Sequence, residues 1–129
     1  RLADLYDKKF DLIFCNQVLY FLDDDTLLKR LDEFDRMLNS DGYVLFTMMA
    51  RAHYFSEYSK GVEENGLETI RFDESSRFVG KETYIRFVET TEHTKSMFCK
   101  FKCETVGSYD FSLEEGQPSK HYIFIGKKR

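Results

Sequence analysis

His53 beside Tyr54, the polar pair Asn16-Gln17 at the end of an apolar run, and the thiols of Cys15, Cys99 and Cys103 are the side chains of this chain with chemistry to offer. An imidazole titrates near neutrality and suits general base work, which makes His53 a catalytic candidate. The histidines at 53, 93 and 121 stand singly, however, and none neighbours Cys15, so no Cys/His nucleophile pair can be written. Cys99 and Cys103 are spaced to share a helix face, but a zinc site needs two further ligands and no metal is expected. Each candidate also has a plainer role. Asn16 and Gln17 can satisfy backbone groups where a strand meets a loop, and Cys15 fits a small core position. Tyr54, Phe55 and Tyr58 read as packing, and His53 as an exposed loop or helix-start residue.

The elements that position these residues follow from hydrophobic spacing. Phe10 to Cys15 is a short continuous apolar run, as in parallel strands covered on both faces. Leu27, Leu28, Leu31, Phe34 and Leu38 recur at helical spacing and predict a helix from about Asp24 to Asn39. Asp23-Asp24-Asp25 caps its start, and Asn39-Ser40-Asp41-Gly42 is its expected stop. Tyr43 to Met48 is a second strand, and a strand, helix, strand unit makes the two strands parallel. Tyr54, Phe55, Tyr58 and Val62 predict a further helix ending at Asn65-Gly66. Leu67 to Phe72 and Glu82 to Val88 read as a hairpin around Asp73-Glu74-Ser75-Ser76. Thr90 or Thr91 caps a helix to about Lys102, and Thr105 to Phe111 pairs with Tyr122 to Ile125 as a closing antiparallel hairpin.

With 129 residues, 42% apolar content and one proline, the chain is expected to form a single globular domain, residues 1–129. No apolar run is long enough to span a bilayer, and Arg1 to Asp7 lacks the core of a signal peptide. A cytoplasmic protein with reduced thiols and no membrane partner is expected. A net charge of −4 with no clustered basic face argues against nucleic acid. The chain opens on Arg1 rather than methionine, so a piece of something longer is expected.

The order of these elements, together with Phe10-Asp11-Leu12-Ile13-Phe14, the segment Arg36 to Thr47 and His121 to Lys128, resembles the C-terminal half of the class I S-adenosylmethionine-dependent methyltransferases. The resemblance implies an α/β fold, a Rossmann-like sheet of parallel strands with an antiparallel C-terminal hairpin and an inserted β-hairpin. It implies S-adenosylmethionine as cofactor and a small-molecule methyl acceptor. Ligands of open α/β sheets lie beyond the carboxyl ends of the strands. In such an enzyme Cys15, Asn16 and Gln17 would line the methyl donor, and Tyr20, Arg51 and Tyr54 would face the acceptor. Residues 51–89 would form a lid over it.

The chain departs from the family in one respect that matters. Its seven glycines are never closer than five residues apart, so no glycine-rich cofactor turn can be written. The first three strands of the family fold are absent, and Arg1 to Tyr6 reads as the end of the helix before the fourth. Their absence would strip the Phe10 to Cys15 strand of a neighbour and uncover an apolar face. The expectation is methyl transfer in an intact parent protein, with this chain inactive alone. The alternative is a non-catalytic α/β domain that dimerises or binds a partner through the exposed strand edge.

Overall fold

The computed structural model describes residues 7–112 and 114–129. The reading of Arg1 to Tyr6 as a helix end lies outside the described residues. A four-stranded sheet forms the centre. Strand β1 (Phe10–Cys15) pairs in parallel with β2 (Leu38–Met49), and β2 pairs antiparallel with β7 (Lys120–Lys127). Strand β6 (Lys102–Asp110) pairs antiparallel with the outer side of β7, giving the order β1-β2-β7-β6. A second sheet of three antiparallel strands holds β3 (Ser59–Val62), β4 (Glu68–Arg71) and β5 (Glu82–Ile85) in that order.

Helix α1 (Asp24–Met37) starts where expected, because the Asp23 carboxylate accepts the Thr26 N–H at 2.8 Å. It ends two residues sooner than the spacing predicts. Leu38 is already extended and opens β2, so Asn39 to Gly42 forms the beginning of a strand rather than a stop, with Asp41 at φ 67°. Leu27, Leu31, Phe34 and Met37 are buried, whereas Leu28 points outward. Helix α2 (Thr91–Met97), capped by the Thr90 hydroxyl, also stops short of the predicted Lys102. Cys99 therefore lies past its end and Cys103 lies on β6, and the two share no helix face.

Phe34 from α1 and Phe98 and Phe101 beyond α2 meet Phe46 and Phe124 on one face of the central sheet, with ring centroids 4.9 to 6.3 Å from Phe46. Gly126 makes this approach possible, since a Cβ there would stand 2.5 Å from the Phe124 ring and 3.0 Å from Cβ of Phe101. The opposite face is different. Side chains alternate along a strand, so the register Leu12 to Tyr43 and Phe14 to Leu45 puts these four on the other side of the sheet. Leu12 is 57% exposed and Phe14 58% exposed, and β1 is an edge strand. The expectation that β1 is covered on both faces fails, because no described element packs over Leu12 and Phe14.

The predicted helix over Tyr54 to Val62 is a short 3-10 helix (Tyr54–Tyr58) that gives way to β3. Tyr54 and Tyr58 are buried as the spacing required, but Ser59 is extended and pairs with Ile70, which turns the hairpin into a three-stranded sheet. The hairpin itself is present, with β4 and β5 in register from Glu68–Ile85 to Arg71–Glu82.

Candidate functional site

The carboxyl ends of β1 and β2 lie side by side, and there the chain leaves the sheet in a constrained way. Gln17 has a positive φ of 56°, a conformation costly for a residue with a Cβ. It is held by Thr47, whose hydroxyl accepts the Gln17 N–H at 2.7 Å and donates to the Asn16 side-chain oxygen at 3.1 Å. The Gln17 amide in turn donates to the Tyr109 hydroxyl at 3.1 Å. Thr47 is 2% exposed, so a buried hydroxyl on β2 fixes the turn after β1.

A 3-10 turn, Leu19–Phe21, then places Tyr20 beneath the sheet end. Its backbone carbonyl accepts the Arg86 N–H at 2.8 Å, while the Arg86 guanidinium bonds the Leu22 carbonyl at 3.0 Å and Asp24 at 2.7 Å. The small sheet is thus tied to the loop after β1. Burial, then the neighbouring Tyr109, pushes the Tyr20 hydroxyl up to about 12, so it stays protonated as a hydrogen-bond donor.

Beyond these strand ends is a cleft of about 190 Å³ lined by Gln17, Tyr20, Met49, His53, Tyr54, Phe55, Arg77, Phe111, Ser119 and His121. Three of the sequence candidates for the two binding roles, Gln17, Tyr20 and Tyr54, converge here, as does His53. Cys15 sits half-buried against the core with its thiol pushed up by burial, and Asn16 is engaged with Thr47; neither lines the cleft. Arg51 is also elsewhere. Its guanidinium makes two bonds to Glu68, at 2.8 and 2.5 Å, bonds Glu89 at 2.9 Å, and lies over the Phe87 ring. Burial raises the Glu68 carboxyl, but bonds from Arg51 and Ser59 outweigh it and hold the group below its usual value.

His53 is buried rather than exposed, at 5% exposure, and it does begin a helix: its Nδ1 accepts the Phe55 N–H at 3.0 Å. The ring is neutral, because burial and then His121 lower its pKa to about 4 against the pull of Asp110. Nδ1 being an acceptor, the single ring proton sits on Nε2. His121, which the sequence left among scattered histidines, enters from β7. The pairs Met49–His121 and Tyr109–His121 bring it across two strand ladders to the cleft. Its ring stacks on Tyr109 at 5.1 Å and 5°, and lies 5.8 Å from Phe111. Burial lowers its pKa as well, partly offset by Ser119 and Asp110. The one signal in the sequence was the Ser119-Lys120-His121 start of the last strand, and nothing there marks a site.

No glycine-rich turn can be written in the sequence, and among the described residues no carboxylate lines the cleft to take ribose hydroxyls. Among the described residues no cluster fit to hold a metal ion occurs, and no helix is long and apolar enough to cross a membrane.

Residues 1–46 match the family model described as a methyltransferase domain. The structure is similar to a SAM-dependent methyltransferase from Methanosarcina mazei, with a TM-score of 0.66 and 16% identity over 94% of this chain and 60% of that one. A S-adenosylmethionine-dependent methyltransferase from Clostridium acetobutylicum aligns with a TM-score of 0.58 and 14% identity, over 94% of this chain and 59% of the other. TehB from Haemophilus influenzae aligns with a TM-score of 0.57 and 13% identity, over 99% of this chain and 38% of that protein. No curated protein matches the chain in sequence. The chain thus spans less than two thirds of the length of these similar structures. Its fold is that of a partial, Rossmann-like class I methyltransferase domain, with parallel and antiparallel strands in one sheet.

Proposed function

We propose that this chain is the acceptor-side part of an S-adenosylmethionine-dependent enzyme that methylates a small molecule, and that it is inactive alone. The observation that carries this reading is the position of the cleft. It opens at the carboxyl ends of β1 and β2, where open α/β sheets take their ligands. A bound methyl donor would supply an electrophilic methyl group. Residues Cys15 to Gln17, at the end of β1, would form one wall of the donor site, and Tyr20 and Tyr54 would face the acceptor. Arg51 would act from outside the cleft by fixing the start of the 51–89 insert, since it clamps Glu68 and Glu89. The insert reaches the cleft through Tyr54, Phe55 and Arg77, consistent with a lid. Three free cysteines suit a reducing cytoplasm.

The segment that would bind the donor is supplied from outside these 129 residues and covers β1 and the open face bearing Leu12 and Phe14. Calorimetric titration with S-adenosylhomocysteine tests this. The chain alone should bind no tighter than about millimolar, a free energy of roughly 4 kcal/mol, and the same chain joined to a glycine-rich cofactor-binding segment should reach micromolar. Micromolar binding by the chain alone would refute incompleteness.

The bare edge of β1 favours a second reading, in which the domain is non-catalytic and uses this edge to dimerise or bind a partner. A stable dimer that gains no cofactor affinity from any completing segment would select it.

A further inference from the structure

A residue that lines the cleft carries a buried polar atom with no hydrogen-bond partner among the described residues. Nδ1 of His121 lies 3.0 Å from the Ser119 carbonyl oxygen, which can only accept, so Nδ1 carries the ring proton and Nε2 presents a bare lone pair. Nε2 is fully buried and makes no hydrogen bond among the described residues. Native proteins rarely leave such an atom unsatisfied, because the cost is that of a lost hydrogen bond without compensation. The residue lines the cleft, so a small shift of the side chains over Nε2 lets a molecule bound there supply the missing donor.

We infer that Nε2 of His121 is the hydrogen-bond and proton acceptor for an acidic O–H or N–H on a planar aromatic small molecule bound in this cleft. The inference rests on the proposed acceptor side of the site and names its substrate class and base. Tyr20, Tyr54, Phe55 and Phe111 supply ring faces and edges, and among the described residues no carboxylate lines the space. Arg77, the lining cation, is paired with Glu114 at 3.1 Å, so the cleft does not select a strong charge. A space of 190 Å³ is of the scale at which an apolar cavity of about 150 Å³ accepts benzene. His53 adds a complementary group, since its ring proton is on Nε2 while that of His121 is not.

In the proton transfer the O–H or N–H bond of the ligand breaks, its electron pair stays on the ligand atom, and an N–H bond forms at Nε2. The other ring proton stays on Nδ1 and is donated to the Ser119 carbonyl, so the imidazolium is held in place. The titratable groups around it are His53, Tyr20, Tyr109 and Asp110, and of these Asp110 favours the charged ring. His121 would therefore be a catalytic residue in contact with the reacting atom.

The test needs no methyl donor. Long-range proton-nitrogen spectra of the histidine rings are recorded for the 129-residue chain with increasing 4-nitrophenol, for wild type and His121→Phe. Phenylalanine preserves the stack on Tyr109 and removes the lone pair, and circular dichroism checks the fold. The expected result is a proton on Nδ1 of His121, a shift of its Nε2 signal on addition of the phenol, and at least tenfold weaker binding by His121→Phe. A proton on Nε2, an unmoved Nε2 signal at millimolar phenol, or equal binding by the variant would each overturn the inference. If His121→Phe loses its fold, His121→Gln and the Nε2 shift in wild type decide. Failure here leaves the S-adenosylhomocysteine titration untouched, so the two readings fall separately.

Discussion

His53 and His121 meet edge to face with ring centroids 5.4 Å apart, in opposite tautomers: His53 accepts at Nδ1 and His121 donates there. Both rings are buried and burial lowers both pKa values, so without a bound ligand protonating either works against the fold.

Acid should therefore destabilise the chain early. A folded pKa of about 4 for His53, below its unfolded value of 6.5, means that the unfolded state takes up the proton first. The stabilisation is full above pH 6.5 and is lost as pH falls through the window to about 4. It amounts to roughly 3 kcal/mol for this ring, with His121 adding in the same direction. Urea denaturation at pH 7 and at pH 4.5 checks this, and a flat profile would contradict the buried neutral pair.

Arg51→Met should cost about 3 kcal/mol, because it leaves Glu68 buried without its countercharge. Glu89→Gln should cost less than about 1 kcal/mol, since Glu89 is half exposed. Chemical denaturation of both variants measures the difference. Equal effects would mean that the Glu68 arm is no more important than the exposed one.

Thr47→Val should cost about 1–3 kcal/mol, far more than its change in shape suggests. It removes the oxygen that accepts the Gln17 N–H and orients Asn16. Amide exchange should show Gln17 losing protection while the centres of β2 and β7 keep theirs. Unchanged exchange at Gln17 would show that its left-handed conformation is held by something else.

Without a covering segment the chain should self-associate, and Phe14→Lys should reduce that association strongly. Phe14 lies on the bare face of an edge strand, where a lysine opposes pairing and apolar contact. Sedimentation over a range of concentrations gives the answer, and a monomeric wild-type chain would count against both proposed uses of this edge.

Much of the fold was legible because it rests on local pattern. The apolar run at Phe10–Cys15 and the Asp23 cap before Leu27 mark β1 and α1 without reference to anything distant. The turn at Tyr54 was not legible as such. Its aromatic spacing fits a helix, but Ser59 to Val62 is claimed by pairing with β4, and a tertiary partner outweighs local propensity. The site was half legible for the same reason. Gln17, Tyr20 and Tyr54 follow strand ends and could be placed by topology, whereas His121 meets His53 through the β2 to β7 register across 68 residues of chain.

Strand β7 comes last in chain order and yet lies between β2 and β6. The sheet is thus closed from its middle, and its final strand is a keystone. A chain clipped after Pro118 would lose no rim; it would fall into a β1–β2 ribbon and an orphan β6, with Phe46 stripped of Phe124. During synthesis the same geometry leaves the inner edge of β2 unpaired until Lys127 has emerged from the ribosome. Earlier segments must wait in an aggregation-prone form, so chaperone dependence should track the time taken to translate the stretch from β2 to β7.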